Sequence, residues 1–159
     1  MKWSHSNDEV RRRVLEIIRD TELYIGCIVL NKAKVREDLR SPPILYNYQI
    51  VHFMLWDLLP AKFKPEEGMD VCVDLSMRKE SRTAFNEYFK SKARWIWTQE
   101  LKRPSFEERR INVHHENSEK AICLQASDYV AGAAFSRYER GSAFYSMIEN
   151  KVQLNPLFF

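Results

Sequence analysis

A chain of 159 residues with 45% apolar and 13% aromatic content and only four glycines has enough apolar mass for one domain with a real core, which excludes a disordered chain. Its formal net charge of +3 is too small to identify a polyanionic partner, and no stretch reaches the ~18 apolar residues of a membrane span, so no membrane partner is expected. Cys27, Cys72 and Cys123 are odd in number, widely spaced and set in apolar runs, which argues against a disulfide framework or zinc knuckle; with no secretory pattern at the start, the expected compartment is the reducing cytoplasm.

Ser6-Asn-Asp-Glu9 has the form of a capping box, and Val10, Val14, Ile17 and Ile18 recur behind it at helical spacing, which predicts a helix over 7–20 with a wet face begun by Arg11, Arg12 and Arg13. Glu22 to Leu30 is short and β-branched and predicts a strand; Lys32 to Arg40 is a charged connection. Pro42 and Pro43 start a largely buried helix over Ile44–Leu59, which Pro60 stops, and a polar loop follows to Gly68. Val71-Cys-Val-Asp74-Leu75 reads as a strand covered on both faces, with its acid near the carboxyl end. Ser81 to Trp97 predicts a helix with Phe85, Tyr88, Phe89 and Ile96 along one side, then a charged loop to residue 110. Ile111 to His115 is the next strand, 121–139 a helix ended by Gly141, and 143–151 a short terminal helix. This order gives a single α/β domain over 1–159, with mainly parallel strands in its second half and right-handed crossovers that put helices on both faces of the sheet.

Two acids stand out within these elements. Cys123 to Phe135 is small and apolar almost all the way round, so its helix is expected to be buried, and a lone carboxylate there, Asp128, must be paired, neutralised or holding a metal. Asp74 lies at a strand's carboxyl end, where open α/β sheets collect their ligands. Both are expected to be buried, and two buried acids, one from a strand end and one from a helix packed near it, form the frame of a Mg²⁺ or Mn²⁺ site for phosphoryl chemistry. The competing assignments are an Asp128 bonded to a neighbouring chain or to Gln125, and an Asp74 that turns into solvent or caps the next segment. Of His114 and His115, adjacent on one strand, at most one can face such a site. His52 reads as a hydrogen-bonded core histidine, and Ser118 as a helix cap. Arg78 and Lys79 follow Asp74 where a substrate phosphate would approach. Lys90 to Arg110 carries seven basic and three acidic residues, and Trp95 and Trp97 among them could stack bases in a charged groove that binds nucleic acid.

The run LQASDYVAGA at 124–133, Ser118 before it, Tyr138-Glu-Arg-Gly141 after it, Val71 to Asp74 and Lys2-Trp3-Ser4 together resemble the family called domain of unknown function 3800 over essentially the whole chain. The resemblance implies a ribonuclease H-like mixed sheet with helices on both faces, and a metal-dependent phosphodiesterase or nuclease in which Asp74 and Asp128 are catalytic metal ligands. Ser118 matches a serine of that family. Its Asp-Glu-Ser-Gly strand, part of an N-terminal hairpin at the middle of the sheet, is missing here. Three remedies stand: a start upstream of Met1, pairing supplied by another chain or a homodimer, or direct closure of the remaining strands. The alternative to the enzyme is a catalytically reduced binding or accessory protein. No G-x-S-x-G elbow, P-loop or dinucleotide fingerprint is present, which argues against serine-nucleophile, kinase and nicotinamide chemistry.

Overall fold

The computed structural model describes residues 2–41, 44, 45, 55, 68–100, 102 and 111–157. Among these the chain is mixed α/β, with helices α1 (Asp8–Asp20), α2 (Lys79–Trp95) and α3 (Ile122–Arg140) and strands β1 (Ile25–Leu30), β2 (Met69–Asp74), β3 (Ile111–Glu116) and β4 (Val152–Leu157). β1 pairs with β4, and β2 with β3. The chain falls into two compact units, 1–29 with 116–155 and 30–115 with 156–159.

In the first unit, α1 begins at Asn7, whose side-chain oxygen accepts the Val10 amide at 2.9 Å. The expected cap, Ser6, is engaged elsewhere: its Oγ donates to the Lys2 carbonyl at 2.8 Å and meets the Tyr129 hydroxyl at 2.5 Å. α1 buries Leu15 and Ile18 but leaves Ile17 exposed. α3 buries Tyr129, Val130, Ala133 and Ala134 against this helix, Trp3, Ile25, Tyr145 and Ile148. Each large side chain fully removed from water here contributes roughly 1.5–3 kcal/mol. α3 ends where Gly141 turns left-handed at φ 65°, and the Gly141 and Ser142 amides reach back to the Arg137 and Ser136 carbonyls. The sequence predicts a helix buried all round. Instead, one side of α3 stands open, with Ile122, Phe135 and Tyr138 exposed. The segment after it forms 3₁₀ turns at Ala143–Met147 and Glu149–Lys151, then β4, which the sequence did not announce because Pro156 argues against a strand interior.

The second unit is centred on the β2–α2–β3 crossover, a parallel pairing of the expected kind. Met69, Val71, Val73 and Val113 pack on Phe85, Phe89 and Ala93 of α2, and the last turn of that helix widens at Ile96–Glu100 to carry Ile96 and Trp97 into the same core. Of the expected helix Ile44–Leu59, only Ile44, Leu45 and Leu55 are among the described residues, and the two leucines are fully buried. The remainder of that helix, His52 and the loops at 61–67 and 103–110 lie outside the described residues.

Candidate functional site

Alternation along β2 and β3 separates two faces. Odd positions pack on α2, and even positions put Asp70, Cys72 and Asp74 beside Asn112, His114 and Glu116 on the opposite face. Asp70 accepts a hydrogen bond from Asn112 Nδ2 at 3.0 Å, and His114 Nε2 lies 3.6 Å from the same oxygen, too far for a hydrogen bond but close enough to pair when the imidazole is charged. Asp74 lies at the carboxyl end of β2, as the sequence predicts, but it is exposed: a core covers only the odd face of this strand and not both, so the expected burial of the acid is not found. The exposed Arg78 and Lys79 open α2 just beyond it. Asp70 was not singled out from the sequence. The signal was available: Asp-x-Cys-x-Asp and Asn-x-His-x-Glu on two neighbouring strands put all six residues on one face.

His115 faces the other way. Its Nε2 lies 2.8 Å from Asn86 Oδ1, and its ring meets Phe85 edge-on at 5.8 Å. Because the amide oxygen only accepts, Nε2 carries the proton and Nδ1 the lone pair, and that buried Nδ1 has no partner among the described residues. Burial, with the Arg82 charge second, holds this histidine below its usual pKa and keeps it neutral. His114 and His115 thus point to opposite faces, and only His114 shares a face with Asp74.

In the first unit the carboxylate of Asp128, half-buried, accepts the Trp3 main-chain N–H at 2.7 Å. The indole of Trp3 lies across the helix at Gly132, where a Cβ would overlap the ring, and stands edge-on to Tyr129 and Phe144. Lys2-Trp3-Ser4 and the Asp128 stretch, two segments the resemblance rests on, are therefore in contact with each other. Gln125 does not bond Asp128: its Nε2 donates to the Glu119 carbonyl at 3.0 Å, fixing the turn before α3. Ser118 is buried in that turn and is not the cap, which is Ala121 without a side-chain bond. Asp74 and Asp128 belong to different units. Among the described residues no group of three or more His, Cys, Asp or Glu side chains gathers as a complete protein-built metal cage would.

The basic region contributes Lys90, Lys92 and Arg94 on α2, with Lys92 Nζ 4.8 Å above the half-open Trp95 ring. Trp97 is fully buried in the core of the second unit, so it is not placed to stack on a base. Arg103, Arg109 and Arg110 lie outside the described residues. No disulfide joins Cys27, Cys72 and Cys123; burial pushes the Cys27 thiol up, while Cys123 is exposed and is not the core residue its apolar run suggested. Among the described residues no helix is long and apolar enough to cross a membrane. Compared with protein-family models, with curated proteins and with solved structures, the chain matches none of them.

Proposed function

We propose that this chain is a divalent-metal-dependent phosphodiesterase of the nuclease type, a ribonuclease H-like relative of the domain of unknown function 3800 family, acting in the cytoplasm. The observation that carries the reading is Asp74: a solvent-facing carboxylate at the carboxyl end of a parallel strand, on one face with Asp70, His114 and Glu116. Mg²⁺ and Mn²⁺ favour such oxygen donors and need only one or two carboxylates, water and substrate phosphate completing the shell, so the absence of a three-ligand cage is compatible with them. Asp74 and Asp128, each described within its own unit, are the candidate metal ligands, and a bound ion would supply charge for a scissile phosphate and a more acidic water. His114 is the histidine on the Asp74 face for proton transfer, and Lys79 with the α2 cations would steer a nucleic-acid backbone.

A second reading, a binding or accessory protein without catalysis, is favoured by one contact. Asp128 already has a partner in the Trp3 N–H, which explains a carboxylate in an apolar helix without any metal. Asparagine separates the two, because its amide oxygen can still accept that N–H while the charge is gone. Calorimetric titration of Mn²⁺ into the wild type, Asp74→Asn and Asp128→Asn should show binding weakened roughly tenfold or more in each variant, with thermal stability of Asp128→Asn nearly unchanged. Equal affinities in all three proteins would remove the metal and leave Asp128 as an architectural clamp.

A further inference from the structure

A groove of about 390 Å³ runs between β1 and α3 within the first unit. Its strand side is made by six consecutive residues, Leu23 to Ile28, and its helix side includes Cys123, Ser127 and Ala131. Of these, Ile25 to Ile28 belong to β1; successive strand residues point to opposite faces, so four in a row can line one groove only where the strand presents its edge. β1 has β4 on one side, and among the described residues no strand occupies the other. Leu23 to Leu30 contains no charge and no proline. It therefore lacks the lysines and prolines by which natural edge strands keep other strands away.

The surface around this edge continues the pattern. Cys123, Ser127 and Ala131 follow one another at four-residue steps along α3, and Phe135 and Tyr138 extend the same face to a length of about 22 Å. Leu23 and Tyr24 in the groove and Phe135 and Tyr138 on the helix face are exposed at 44–56%. With about 200 Å² for each when fully open, they present on the order of 400 Å² of apolar surface. That lies in the range of the largest patch on an ordinary monomer, often a functional one, and is about half of the ~800 Å² that each partner contributes to a standard interface.

We propose that the open edge of β1 and the outer face of α3 form a two-fold interface with a second copy of this chain, joining two β4–β1 pairs into one sheet of order β4-β1-β1-β4. A two-fold axis across the edge makes the two β1 strands antiparallel and sets the same patch against itself, which suits a groove whose lining carries no charged residue. A charged partner finds no complementary charge there. The small side chains of α3 let the helix approach its symmetry mate over the seam, and four strands replace a pair that is narrow for a stable sheet. The inference does not depend on the metal reading, since neither Asp74 nor Asp128 lines the groove.

Sedimentation of the full chain over a micromolar to submillimolar series should give twice the 19.0 kDa of one chain. Gly26→Lys puts a charge on the strand edge and Ala131→Arg puts one on the helix face; both positions are exposed, so both variants should sediment as folded monomers with an unchanged far-UV spectrum. Ser91→Arg, on an exposed position of α2, should remain dimeric. A wild type that stays at 19.0 kDa throughout leaves the groove to another occupant and overturns the proposal, as does a dimer that survives both Gly26→Lys and Ala131→Arg.

Discussion

Trp3 ties the N-terminal segment to α3 and α1 by three kinds of contact. Its N–H donates to Asp128, its carbonyl accepts from Arg11 Nε and Nη2 at 3.3 and 3.2 Å, and the same guanidinium stands 4.7 Å from its ring centroid. The ring needs Gly132 beneath it. This makes the sign of one substitution diagnostic. On propensity alone, Gly132→Ala inside a helix should stabilise by about 1 kcal/mol. Overlap with the indole predicts the opposite, a loss of roughly 1–3 kcal/mol in urea unfolding, and a gain would show that Trp3 does not lie there. His115 gives a second residue-level prediction. Its pKa in the fold lies below the ordinary histidine value, so the unfolded chain binds more protons between the two values. The contribution is fully present above about pH 6.5 and is lost as the pH falls through the folded pKa, because a proton on Nδ1 finds no acceptor. Stability measured from pH 7.5 downward should therefore fall in mildly acid solution, and the fall should be shallower in His115→Phe. An unchanged slope in that variant would assign the dependence to other groups.

At the scale of elements, what the sequence made legible followed from periodicity. α1, α2, α3, β1, β2 and β3 all lie where helical spacing or β-branched runs placed them, with shifts of a few residues at their ends. What it hid were roles decided by tertiary partners. Ser6 looks like the cap of α1, but its hydroxyl is held by Lys2 and Tyr129, and Asn7 takes the position. Asn7→Ala should then cost about 1 kcal/mol through the lost cap, and Ser6→Ala a comparable amount through the buried Tyr129 hydroxyl left without its partner. Unchanged stability in Asn7→Ala would contradict that cap. Asp128 was correctly expected to need a partner, but a main-chain N–H leaves no trace in a sequence and could not be named in advance. The open side of α3 was hidden for a related reason: alanine, serine and glycine carry almost no polarity signal, so a face that is exposed and a face that is buried read alike.

At the scale of the whole molecule, composition and element order were enough to give the α/β class, and the carboxyl-end position of Asp74 followed from it. The grouping into two compact units was not visible, because most of the second unit is one stretch from 30 to 115 with no linker-like composition at either end, inserted between β1 and the turn before α3. Each unit has its own apolar cluster, one around Trp3, Leu15, Tyr145 and Ile148 and one around Phe85, Phe89, Trp97 and Ile111. Separate clusters predict separate melting. Phe89 and Ile148 are both buried at 4% exposure or less, so Phe89→Ala and Ile148→Ala should each destabilise by roughly 2–5 kcal/mol. In calorimetry of the full chain, two transitions are expected, with Phe89→Ala lowering one and Ile148→Ala the other. A single transition moved equally by both substitutions would mean that the chain crossings at β1, β3 and β4 couple the two clusters into one cooperative fold. In that case the metal-site variants Asp74→Asn and Asp128→Asn would have to be compared at matched stability before any loss of binding could be assigned to a ligand.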